Sequence, residues 1–174
     1  MELALRRILL IHGVIMTIGG IPLIYLGDEL GTQNDYNYRN DPAKAGDSRW
    51  VHRPYADWSR AARRTDPTTV EGRLYQRLQQ LIGLRKQCDA FSDGDMEVFD
   101  IGNDRLFAFV RSNQHERVGL LANFSEQPQT VAAYRLRQQG FTSAGVDLLT
   151  GTAVALEHDV TLAPYQLLCL HVKP

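Results

Sequence analysis

Cysteine is scarce in this 174-residue chain: Cys88 and Cys169 are the only two. That is too few for a disulfide framework, and neither has the Cys/His spacing of a metal site, so both read as reduced core thiols. Net charge is scarce too. Nineteen Lys and Arg against 20 Asp and Glu leave −1, with no basic face for nucleic acid or an anionic membrane surface. A neutral or carbohydrate partner fits better, and neither a metal nor a cofactor is expected. Long unbroken apolar runs are missing as well. Residues 8–26 come nearest, behind Arg6-Arg7, but His12, Gly13, Gly19, Gly20 and Pro22 interrupt them and no small-x-small cleavage pattern follows. This favours a buried helix-turn-strand unit over a leader or a membrane span; a cytoplasmic location is expected. No internal repeat or low-complexity tract is visible.

What the chain does have is a change of pattern along its length. Residues 2–18 place Leu5, Ile8, Leu9, Ile11, Val14, Ile15 and Ile18 nearly all round a helix, which predicts cover on several sides. Gly19-Gly20 ends it. Residues 21–26 then form a continuous apolar stretch, the pattern of a fully buried parallel strand whose neighbours this chain does not supply. From Gly27 to Pro67 the composition turns to Gly, Asp, Asn, Arg and aromatics, which predicts a long loop with too many rings for simple disorder. A second helix is expected from Asp66 as N-cap and Pro67 in the first turn to about Cys88. Beyond Gly94 the period becomes two, giving strands at 96–101, 106–111, 118–124, 129–134, 146–149, 153–156, 160–162 and 167–172. The expected fold is thus an α+β fragment: a helix-strand-helix remnant over residues 1–92, then an all-β Greek-key sandwich over 93–174.

Chemistry is harder to find. If strand 21–26 belongs to a (β/α)8 barrel, Asp28 and Glu29 sit at the functional rim. Glycoside hydrolysis needs two carboxyl groups facing each other roughly 5 to 10 Å apart, and neighbours on an extended chain point to opposite sides. The pair therefore reads as rim or loop structure, and no catalytic residue is assigned. Trp50, Trp58, Tyr36 and Tyr38 present rings for stacking on sugars or for packing. His52 offers a proton carrier by residue type, but no nucleophile or carboxylate at a recognisable spacing accompanies it. Asn123-Phe124-Ser125 has the form of a glycosylation acceptor at a predicted strand end and carries little weight.

The segment from Gly20 to Gly31 (GIPLIYLGDELG) resembles the eighth-strand motif of the α-amylase superfamily, glycoside hydrolase family 13. Asp47-Ser48-Arg49-Trp50-Val51-His52-Arg53-Pro54 and Arg64-Thr65-Asp66-Pro67 are similar to amylosucrases and sucrose hydrolases in particular. Ala122-Asn123-Phe124-Ser125 and Leu162-Ala163-Pro164-Tyr165-Gln166 look like their C-terminal β-domain. The resemblance implies a retaining transfer of the glucosyl unit of sucrose to an α-glucan, without a metal. It also implies that the Asp, Glu and Asp of that chemistry precede residue 1, so this chain alone is expected to be inactive. Arg49 matches the arginine that pairs with an upstream Asp at the bottom of the glucose pocket, a role suited to a planar, always charged fork; Asp28, Glu29, Trp50 and His52 are candidates for the rim. Sucrose and α-glucan are the partners implied, with self-association through the uncovered remnant. Two other readings stay open: a different α-amylase-family fragment such as a sucrose hydrolase, and a non-catalytic carbohydrate-binding or scaffold β-domain.

Overall fold

A computed structural model of the chain describes residues 1–142 and 144–172. Two compact units divide it: residues 1–23 with 78–174, and residues 24–77.

The first unit is built on the alternating stretch. Its strands are β1 (Asp95–Val98), β2 (Leu106–Ser112), β3 (Arg117–Asn123), β4 (Gln129–Val131), β5 (Ala144–Asp147), β6 (Ala153–Ala155), β7 (Val160–Leu162) and β8 (Leu167–His171). Among the described residues they form a six-stranded sheet ordered β1-β2-β3-β8-β5-β6 and a two-stranded sheet β4-β7, and every pairing is antiparallel. Period-two alternation gives the larger sheet two apolar faces. Leu121, opposite Ala108 and Leu168, points to one face, where Val131, Leu162, Leu136, Phe141 and Leu156 complete a core. Leu120, opposite Phe109 and Cys169, points to the other, where Leu10, Cys88, Ala90 and Phe91 meet it. Burying side chains of this size contributes about 1.5–3 kcal/mol each, so these two layers dominate the unit.

Helix α1 (Glu2–Thr17) covers the second face with Leu10 and Val14, and its C-cap Ile18 packs there too. It comes close because Gly13 has no Cβ; one placed there would run into Leu167. Two arginines close the C-terminal end of α1, where carbonyls lack helical partners and the dipole favours cations. Arg85 donates to Met16 O at 2.6 Å and Gly20 O at 2.8 Å, and Arg111 donates to Ala90 O at 3.0 Å and Ile18 O at 3.4 Å. Burial first, then the neighbouring Arg85 charge, pulls the Arg111 pKa down. The long helix α3 (Val70–Gln87) contributes Leu84 to the same core, and α4 (Ala90–Asp93) follows it. Cys88 donates its thiol to Glu116 at 3.1 Å; burial and that carboxylate push it up to about 12, so it stays a protonated thiol. Burial likewise raises Cys169, and both cysteines are free.

Four expectations change, and the low weight given to Asn123 as a glycan acceptor holds. Residues 21–26 form no strand: Ile21 is 99 % and Leu26 83 % exposed, and no described strand runs beside them. A strand exists only as part of a ladder, and an apolar run alone does not make one. Helix α1 is buried on one side only, with Leu3 and Ile11 exposed. Helix α3 starts at Val70 rather than beside Asp66, because Thr69 Oγ1 accepts from Gly72 N–H while Asp66 turns back to Thr68. Strand β4 stops at Val131, and α5 (Ala133–Gln138) replaces its predicted end, since Asp159 Oδ1 takes the Ala133 N–H at 2.9 Å. Asn123 is fully buried: its amide donates to Gln127 O, Leu162 O and Ala163 O and accepts from Ser125, which leaves no nitrogen for a glycan.

Candidate functional site

Residues 24–77 carry the sequence-derived candidates, and aspartate side chains organise them. Five times an Asp accepts the backbone N–H two residues on: Asp35 from Asn37, Asp41 from Ala43, Asp47 from Arg49, Asp57 from Ser59 and Asp66 from Thr68. Each such side chain substitutes for a backbone turn, and three of the five open a short helical element. Asp35 and Asp47 start the 3₁₀ turns Tyr36–Asn40 and Ser48–His52, and Asp57 starts α2 (Trp58–Ala62). In three of them the donors also favour the ionised carboxylate. Arg49 draws Asp47 down to about 2, and Ser59 and Thr68 lower Asp57 and Asp66.

Asp28 and Glu29 lie on the 3₁₀ turn Asp28–Leu30, bracketed by Gly27 and Gly31 at positive φ of 100° and 62°. Glu29 Oε2 accepts from Gly27 N–H at 2.8 Å and Asp28 Oδ2 from Tyr25 N–H at 3.3 Å. Both carboxylates thus fold back on their own turn and do not face each other across a gap. A Cβ on Gly31 would stand 2.8 Å from Leu74 Cδ1, so this turn needs glycine for conformation and for space.

Arg49 is 73 % exposed at its side chain and forks onto Asp47, with Nε at 2.9 and 3.0 Å and Nη2 at 2.8 Å. The sequence reading gave it no partner within the chain; Asp47 supplies a local one. His52 Nδ1 lies 3.1 Å from Asn34 Oδ1, and Asp35 N–H donates to Val51 O, tying the two 3₁₀ turns together. Trp50 is half-buried beneath Lys44, whose ammonium is 5.1 Å from the Trp50 ring and 4.3 Å from Tyr55, with the Tyr55 hydroxyl at 3.2 Å. Tyr36, Tyr55 and Trp58 are exposed, whereas Tyr38 is buried and packs.

One group escaped the sequence reading. Glu71, in the first turn of α3, is 7 % exposed at its side chain and binds two arginines: Oε1 accepts from Arg60 Nε at 2.7 Å and Arg63 Nη2 at 2.8 Å, and Oε2 from Arg63 Nε at 3.3 Å. Those donors hold the carboxyl down to about 2 against burial. Arg60 then reaches on with Nη2 to Leu30 O at 2.8 Å and Gly31 O at 3.3 Å. The signal available in sequence was two arginines three residues apart, followed by an acidic residue at the next helix start.

Outside this region, open depressions flank the β2–β3 turn. One is lined by Asp93 and Asp95 with Ser112, Asn113, Gln114 and His115. Asp93 is engaged by the Asn113 amide at 3.1 Å. Among the described residues no group of three or more His, Cys, Asp or Glu is arranged to hold a metal ion, and no helix is long and apolar enough to cross a membrane.

Comparison with known proteins gives a consistent neighbourhood. Residues 111–171 match the family described as amylosucrase, C-terminal domain. Glucosylglycerate phosphorylase of Escherichia coli (strain K12) is 28% identical over 165 residues, which are 93% of this chain and 27% of that protein. The amino acid transporter heavy chain SLC3A2 of Oryctolagus cuniculus is 29% identical over 171 residues, 91% of this chain and 32% of that one. Among solved structures, AmyP in complex with maltose superposes with a TM-score of 0.73 at 21% identity, covering 96% of this chain and 34% of that chain. The chain spans about a quarter of the length of the first curated relatives it matches.

Proposed function

We propose, from the premise that this chain carries the C-terminal region of an α-amylase-superfamily (glycoside hydrolase family 13) enzyme, that its parent transfers the glucosyl unit of sucrose to an α-glucan by a retaining mechanism, in the cytoplasm. Residues 1–92 are then the end of the catalytic barrel, with 21–26 as its last strand, and 93–174 the C-terminal Greek-key β-sandwich. The exposed apolar side chains of 21–26 support this, because they are what a parallel strand lacking its neighbours leaves uncovered. In this chain alone the same surface is where a second copy would associate.

Arg49 is the sugar-binding residue in this reading. The observation that carries it is a guanidinium fixed by Asp47 yet largely exposed, with donor capacity to spare for a carboxylate or for sugar hydroxyls. Asp28, Glu29, Trp50 and His52 form the rim. Retaining transfer needs a nucleophilic and an acid/base carboxyl roughly 5 Å apart, and Asp28 and Glu29 are each committed to their own turn. The isolated chain is therefore inactive. Incubation of the purified chain with sucrose is expected to release no glucose, fructose or glucan above buffer; release would overturn the assignment. In a protein of the relatives' length, Arg49→Ala is expected to abolish sucrose turnover, and wild-type turnover would remove Arg49 from the site.

A second reading is a non-catalytic carbohydrate-binding or scaffold module. The likeness to a transporter heavy chain and the exposed Tyr36, Tyr55 and Trp58 favour it. Both tryptophans of the chain lie in residues 24–77, so their fluorescence reports on that unit directly. A saturable change on titration with maltotriose supports a sugar-binding loop, and a flat signal counts against it.

A further inference from the structure

The Glu71 network does more than pair charges, and its geometry shows where it acts. A guanidinium is flat and presents its donors along fixed edges. Arg60 uses Nε for the Glu71 carboxylate and Nη2 for the Leu30 and Gly31 carbonyls, so one group joins the first turn of α3 to the acidic turn some forty residues earlier. Glu71 sets the plane of that guanidinium from a nearly dry position, and Arg63 holds Glu71 from the other side. The turn needs such an anchor. Residues 21–26 before it have no strand ladder, and Gly27 and Gly31 both sit at positive φ.

We infer that Glu71 and Arg60 are positioning residues for the acidic turn at 27–31: the carboxylate orients the guanidinium, and the guanidinium fixes the carbonyls behind Asp28 and Glu29. Its functional meaning rests on the reading of that turn as part of a sugar-site rim. A lysine at position 60 would keep the charge but has no second edge, so it can satisfy Glu71 or the carbonyls but not both in one plane.

Amide hydrogen exchange on the full chain tests this without any sugar. In Arg60→Lys and in Glu71→Gln, exchange at Leu30, Gly31 and Thr32 is expected to rise about tenfold or more, while the β3 amides of Leu120 and Leu121 stay as in the wild type. Wild-type exchange at the turn in Arg60→Lys would overturn the proposal, since charge alone would then suffice. Equal loosening of β3 in both variants would also overturn it, since the network would then serve the fold as a whole. A maltotriose titration by Trp fluorescence separates this from the functional reading. If the wild type binds, Arg60→Lys is expected to weaken binding about fivefold or more by blurring the rim. If the wild type binds nothing while the turn still loosens, the sugar-site reading fails and the positioning role stands.

Discussion

Residues 24–77 and the sheet-based unit reach order by opposite chemistry. In the sheet unit the interior is Phe, Leu, Val and Cys, with Phe109, Val118, Leu120, Leu156 and Leu162 at zero exposure. In residues 24–77 the buried residues are Tyr38, Glu71, Gly72 and Leu74, one of them a charged carboxylate between two arginines. One unit excludes water from large apolar area. The other adds many hydrogen bonds, each worth about 1 kcal/mol net, across five aspartate turns and one ion cluster. Damage should therefore scale with lost volume in the first and with lost partners or lost charge in the second.

The largest effect is expected from Leu120→Ala. Leu120 is fully buried between Phe109 and Cys169, and truncation at such a site costs about 2–5 kcal/mol. Urea unfolding followed by far-UV circular dichroism measures it. A loss below 1 kcal/mol would mean that the helix-covered face of the sheet is not a packed core.

Asn123→Ala probes the polar exception inside the apolar unit. Its buried amide spans three carbonyls at 2.8, 3.3 and 2.9 Å and takes the Ser125 hydroxyl and N–H. Removing it strands those carbonyls, and a cost of about 2–3 kcal/mol is expected in the same urea experiment. A neutral result would show that water replaces the amide, and the contrast between the units would then lose its sharpest point.

Acid separates the two chemistries without mutation. Glu71, nearly buried between two arginines, titrates at about 2, and Asp57 and Asp66 below their ordinary value. Their folded pKa values lie under the unfolded ones, roughly 3.9 for Asp and 4.3 for Glu. Their stabilisation is therefore complete above the unfolded value and is lost as pH falls through the folded one. Trp emission, which reports only on residues 24–77, is expected to change between about pH 4.5 and 2. A flat Trp signal to pH 2 would mean that these carboxylates do not hold the loop.

The same contrast explains what could be read from sequence. The eight strands among the described residues were legible, because alternation is local and its cause, one covered face per side chain, repeats every two residues. The end of β4 was not, because Ala133 is capped by Asp159, twenty-six residues away. The run 21–26 has the composition of a buried strand but forms no ladder here, because composition does not tell whether neighbouring strands stand beside it. Of the site, the aspartate turns announced themselves by residue type. The Glu71 to Arg60 contact did not, since a separation of eleven residues across a helix, a turn and a second helix has no fixed geometry.

Arg49→Ala should be the quietest change of all, and that silence is what makes it informative. Its partner Asp47 is two residues away, so the pair closes no long loop, and an exposed ion pair of this kind contributes little. Asp47 keeps the backbone N–H of residue 49 whatever the side chain, so the 3₁₀ turn Ser48–His52 stays capped. The urea midpoint should match the wild type. A stabilising arginine in a loop built from hydrogen bonds would shift that midpoint; an arginine kept for a ligand would not, and its loss would show only when sugar is present. An Arg49→Ala chain that unfolds earlier than the wild type and binds maltotriose equally well would therefore move Arg49 from the ligand to the scaffold.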